Sequence, residues 1–203
     1  MRRLYLKLIS VTLMLFSPTI YGAAYDVPNP IPLSQFDIER YIGKWYQIAS
    51  ITGDRENQND CVNTTAEYEL IDGVNIGAVN SCEIRVLGVR LRRAITALAE
   101  PSSTQDGLAK FKLTLRPLGP YLPFGNKYTR GFPINAQYWI LELDSDYKWA
   151  MVGTENKEGL YILSRTPKLA PEILEELIEL ASTKHNYLEP LDRLTYTVHR
   201  VQE

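Results

Sequence analysis

Between residues 45 and 164 the chain is cut into eight short runs that read as β-strands, and this repetition constrains the fold more than any other feature. The runs are 45–52, 62–71, 74–84, 91–99, 108–116, 136–143, 147–152 and 160–164. Each is rich in aliphatic, β-branched or aromatic residues, and turn-forming residues separate them. In the second, Val62, Thr64, Ala66, Tyr68 and Leu70 share one face; in the fifth, Phe111, Leu113 and Leu115 alternate with Lys110, Lys112 and Thr114. A period of two is that of a strand with two unlike faces. Asp72 followed by Gly73 signals a tight hairpin. Beyond residue 164 the period changes. Ile173, Leu174, Leu177, Ile178 and Ala181 recur at helical spacing behind Pro171, with Glu172, Glu175, Glu176 and Glu179 on the other side. The pattern predicts an all-β fold: an eight-stranded up-and-down antiparallel barrel over about 43–165, a helix over about 171–183 packed outside, and a final short strand within 194–201. Closure removes exposed sheet edges. An eight-stranded barrel has room inside for side chains and one small ligand.

A length of 203 residues fits one such domain behind a leader. Arg2, Arg3 and Lys7 precede the apolar run 8–16; Pro18 and the small residues Gly22, Ala23 and Ala24 follow. That order is expected of a signal peptide, 1–24, and the run is short for a membrane span. An uncleaved anchor is the alternative. The single barrel domain is then 25–203. No cysteine follows the apolar run to accept a lipid, so the expected location is exported, either periplasmic or secreted. The formal net charge is −2. Without a basic excess, nucleic acid is not an expected partner. No Gly-x-Ser-x-Gly, phosphate loop or His-Glu-x-x-His occurs, and His185 and His199 lie past the barrel. No catalytic residue, cofactor or metal is expected, and the helix glutamates read as a solvated face.

Three blocks carry a family resemblance. YIGKWYQIAS, YWILELDSDYKWAMVG and LYILSRTP occur in this order and resemble the three signatures of the lipocalin family, with a likeness to the bacterial lipocalins related to apolipoprotein D. The resemblance implies that Trp45 packs across the closed end of the barrel with Arg165 over its ring, beside Gly43, and that Asp144 and Tyr147 shape a late turn. It also implies polarity: the first strand starts at the floor, and loops 53–60, 85–90, 117–135 and 154–158 lie at the mouth.

Cys61 and Cys82 begin the second run and nearly end the third. A turn at 71–72 sets them opposite each other, and an oxidising compartment would join them at the mouth end. The alternative is two free thiols. The resemblance points to a carrier that binds a small hydrophobic or amphiphilic ligand, in membrane lipid storage, transport or repair. An interaction protein with a filled barrel and a lipid- or isoprenoid-modifying enzyme are the alternatives. Alternation from an inward Trp45 places Gln47, Ala49 and Ile51 in the lining, and Tyr68 and Tyr138 are further candidates. Arg85, Arg90 and Arg92, with Tyr121 and Phe124 of the 117–135 loop, are expected to rim the mouth. A cationic rim favours a fatty acid or lysophospholipid, and the aromatic loop could meet a membrane surface.

Overall fold

The computed structural model describes residues 27–52, 61–102, 106–117, 127–128, 133–188 and 190–200. The expected signal peptide, the mouth loop 53–60, and Tyr121 and Phe124 with most of their loop lie outside the described residues.

Among the described residues, nine strands form: β1 (Gly43–Ile51), β2 (Val62–Leu70), β3 (Ile76–Val86), β4 (Val89–Pro101), β5 (Lys110–Arg116), β6 (Ile134–Leu143), β7 (Trp149–Gly153), β8 (Leu160–Ser164) and β9 (Thr195–Tyr196). Two helices join them, α1 (Ile38–Tyr41) and α2 (Pro171–Thr183). Strands β1 to β8 pair antiparallel in chain order, and β8 returns to β1, with Gln47 opposite Leu163 and Ile51 opposite Leu160. The result is the expected closed eight-stranded barrel. β9 adds to β1 from outside, Ala49 opposite Tyr196.

Two connections differ from the expected turns. The β2–β3 loop spans residues 71–75 because the Asp72 carboxylate accepts hydrogen bonds from the backbone of Val74 and Asn75 (3.3 and 2.8 Å) and from the Asn75 amide (2.7 Å). Ala66 therefore faces Asn80, where a turn at 71–72 would set Gly77. The expected mouth loop 85–90 is instead continuous hairpin: Arg85 lies opposite Arg90, and only Leu87 and Gly88 turn, with φ of +50° and +84°. Two successive left-handed residues are the backbone of the tight turn that matches strand twist.

Two apolar cores result. One fills the lower barrel around Trp45, Tyr41, Phe111 and Ile140. The other lies between the barrel wall and α2, where Leu177 and Ala181 pack on Ala49, Ile51, Leu141, Met151 and Ile162. The segment before α1 crosses the closed end. Ile31 donates to the Ile140 carbonyl and accepts from Ala109, both at 2.9 Å, and the Phe36 ring packs edge-on against Phe111.

Candidate functional site

The floor positions everything above it. Trp45 is fully buried, and its indole donates to the Tyr41 carbonyl at 2.8 Å. The Arg165 guanidinium lies 3.8 Å from the Trp45 ring centre. It also donates to the carbonyls of Arg40 (2.7 Å), Lys44 (3.0 Å), Tyr41 (3.1 Å) and Tyr147 (3.3 Å). Gly43 sits at φ +94°, a left-handed backbone that favours glycine, and a Cβ there would lie in contact with Arg165 Nη1 at 3.4 Å. The Asp144 carboxylate accepts from the backbone of Asp146 and Lys148, each at 3.0 Å. Tyr147 then reaches across the floor, its hydroxyl accepting from the Asp37 N–H at 2.7 Å and donating to the Gln35 carbonyl at 3.3 Å. The five residues expected at the floor converge there.

Above the floor the barrel encloses a cavity of about 320 Å³. Its apolar wall is made by Ala66, Ala78 and Ala97 and by Leu113, Leu115 and Leu163. The small residues leave the space and the leucines make it greasy. Tyr68 and Tyr138 stand toward its base beside Tyr41, and Tyr161 lines it from β8. The Tyr138 hydroxyl lies 2.6 Å from that of Tyr41 and 2.9 Å from that of Tyr68. Three hydroxyls sharing two hydrogen bonds leave one proton over. Burial raises the pKa of Tyr41 and Tyr138 well above the usual phenol value and pushes Tyr68 up to about 12, so these groups stay neutral donors near neutrality. Asn80 supplies the opposite function: its Oδ1 is buried on the cavity wall and has no hydrogen-bond partner among the described residues. Among those residues the lining contains no Lys, Arg, Asp or Glu. A larger depression, about 650 Å³, lies outside the floor and is lined by Asp37, Arg40, Glu142 and Lys184. It is an open polar groove, less suited to an apolar guest than the barrel interior.

Gln47, Tyr68 and Tyr138 lie in the cavity lining as expected. Ala49 and Ile51 do not, and this corrects the alternation reading. β1 carries a bulge between Gln47 and Ala49, where pairing with β8 shifts by one residue. One extra residue reverses the faces beyond it. Ala49 and Ile51 therefore face the outer core under α2, opposite Ile162 and Leu160. The rim reading is corrected too. Ala78, Asn80, Ile95 and Ala97 face the cavity, so Arg85, Arg90 and Arg92 occupy the opposite face of the same two strands. Arg92 donates to the outward-facing Ser81 hydroxyl at 3.1 Å. The disulfide forms as expected, with the Cα atoms of Cys61 and Cys82 5.4 Å apart. The register that suggested it was three residues off, and the bond lies beside the stretch of irregular pairing between Val62 and Thr65. Tyr161, Leu163, Asn80 and Ala97 were missed. Alternation in the second and fifth runs could have marked Thr64 and Ala66, and Leu113 and Leu115, as lining positions, whereas the other strands needed a register first.

A family model described as a lipocalin-like domain matches residues 36–195. Temperature-induced lipocalin-1 of Arabidopsis thaliana is 31% identical over 145 residues, covering 71% of each chain. The outer membrane lipoprotein Blc of Vibrio cholerae is 28% identical over 186 residues, 91% of this chain and 92% of that one. Mouse apolipoprotein D is 24% identical over 189 residues, covering 85% and 89% respectively. Among solved structures, insecticyanin from the tobacco hornworm Manduca sexta superposes with a TM-score of 0.57 at 22% identity, covering 87% of each chain.

Proposed function

This chain belongs to the lipocalin family, and we propose that it is an exported carrier for a small hydrophobic or amphiphilic ligand, serving membrane lipid storage, transport or repair. The observation that carries this reading is the enclosed cavity of about 320 Å³ with its alanine and leucine wall. That volume falls in the range of small-molecule sites, roughly 300–1,000 Å³. Burial of apolar ligand surface supplies the affinity, about 25 cal/mol per Å². The space counts against a barrel filled by its own side chains. The kinship with a protein named an outer membrane lipoprotein, and the disulfide, favour a periplasmic or secreted location.

The proposed ligand is a fatty acid or lysophospholipid, with a different part for its head. Among the described residues the lining is neutral and offers a carboxylate or phosphate no counter-charge, and burying an unpaired charge is costly. The acyl chain enters, and the charged head stays in water at the mouth. Mass spectrometry of lipid co-purifying with the native protein tests the class directly. Binding of a fatty acid and its matched alcohol tests the orientation. Equal affinity is expected, and a strong preference for the acid would place a cation at the bound head. Ala97→Trp, at a buried lining position, should fill the cavity and abolish binding of both. Unchanged affinity in the folded variant would refute the cavity as the site.

A further inference from the structure

The β3–β4 hairpin reaches beyond its neighbours. β2 pairs with β3 only as far as Glu83, and β5 pairs with β4 only as far as Thr96. Beyond those points the two strands continue as a ribbon to Val86 and Val89. At about 3.4 Å per residue, β4 outruns β5 by about 24 Å. The ribbon exposes apolar side chains: Leu87 is 100% accessible, Val89 59%, Leu91 47% and Val86 44%. Register puts Val86, Val89 and Leu91 on one face with Ile84, and Arg85, Arg90 and Arg92 on the other.

Two features are unfavourable in water. A two-stranded ribbon has marginal stability alone, and an exposed aliphatic tip invites association. Arg85 and Arg90 also stand directly opposite each other, and like charges across a strand pair repel. Among the described residues, neither of these two forms an ion pair.

An anionic lipid surface answers both. We propose that this hairpin is a membrane-docking arm: Leu87, Val86 and Val89 enter the boundary between headgroups and acyl chains, and Arg85 and Arg90 bind lipid phosphates. Arginine suits the place because its stem lies along apolar surface while its head meets phosphate. Anionic lipid is favoured over neutral lipid because the basic residues cluster on the arm while the chain as a whole carries a net charge of −2. Attraction confined to one element orients the molecule arm first. The face bearing Ile84, Val86, Val89 and Leu91 continues the wall that bears Ala78, Asn80, Ile95 and Ala97 inside. Docking would therefore bring the barrel mouth toward the bilayer. Docking stands without the carrier reading; only its use for ligand transfer rests on it.

The test is co-flotation of the full chain with vesicles of phosphatidylcholine alone and of phosphatidylcholine mixed with phosphatidylglycerol. Binding to the mixed vesicles, weakened by salt, is expected. Leu87→Ser with Val89→Ser should abolish it. Arg85→Gln with Arg90→Gln should weaken it about tenfold or more and erase the preference for anionic lipid. These positions are exposed, so the fold and the binding of an apolar probe in the cavity should be unchanged. The carrier reading therefore fails or survives separately. Absence of binding to both vesicles overturns the proposal, as does binding indifferent to both variants. Sedimentation showing a dimer that Leu87→Ser with Val89→Ser dissolves, with no vesicle binding, would overturn it in favour of self-association.

Discussion

Arg165 joins the closed end through one guanidinium that lies on the Trp45 ring and donates to four backbone carbonyls. A hydrogen bond to a charged group contributes about 1.5–3 kcal/mol, and a cation–π contact about 0.5–2 kcal/mol. The carbonyls would regain some partners from water. Arg165→Ala is therefore expected to lower the unfolding free energy by about 2–4 kcal/mol in urea titration. Arg165→Lys should recover less than half of this, because an ammonium cannot reproduce a planar fork. Full recovery by lysine would reduce the contact to its charge. Trp45, Arg165 and Gly43 were legible only through the family resemblance of the blocks that hold them, and the large ring, the planar cation and the left-handed φ are the chemistry that fits each to its place. Ala49 was not legible. Alanine suits either face of a strand, and only its neighbours show which one it occupies.

Those neighbours are set by elements. The bulge in β1 turns Ala49 from the barrel interior toward α2, where it is fully buried. Ala49→Trp is thus expected to overpack the helix interface and destabilise the protein by about 1–3 kcal/mol. Affinity for an apolar probe should be unchanged, the opposite of Ala97→Trp. Loss of probe binding in a folded Ala49→Trp protein would put the residue back in the lining. The disulfide acts on a different part of the barrel. Cys61 and Cys82 are 21 residues apart in sequence and join the mouth ends of β2 and β3. Reduction should lower stability by about 3 kcal/mol. Hydrogen exchange should rise first in the upper parts of β2 and β3, with the Trp45 floor still protected. Uniform loss of protection would mean that the bond supports the whole barrel cooperatively.

The barrel as a whole is sensitive to alkali through its buried phenols. Tyr68 and Tyr187 are both raised by burial from about 10 to about 12, and Tyr41 and Tyr138 move in the same direction. A raised pKa means that the folded state holds its proton longer than the unfolded chain. The stability these residues contribute is complete below about pH 10 and is lost as pH rises through about 12. Each such tyrosine lowers stability by about 1.4 kcal/mol per pH unit inside that window. Alkaline titration followed by tyrosinate absorbance and circular dichroism should show these phenols ionising together with unfolding. Ionisation of all the tyrosines near pH 10 with the barrel intact would contradict their burial.

The strand count, the order of elements and the helix at Pro171–Thr183 follow from local chemistry, alternation and turn residues, and the floor residues from the resemblance of three short blocks. Such signals depend on a residue and its few neighbours, so they survive without the rest of the molecule. Register does not. The Asp72 carboxylate lengthened one turn, Leu87 and Gly88 tightened another, and the extra residue in β1 changed which side chains meet the cavity. A strand has period two, so a single-residue shift exchanges inside for outside. The pairing of each strand with its neighbours in the closed barrel therefore decided that the lining is neutral among the described residues and that Arg85, Arg90 and Arg92 face outward.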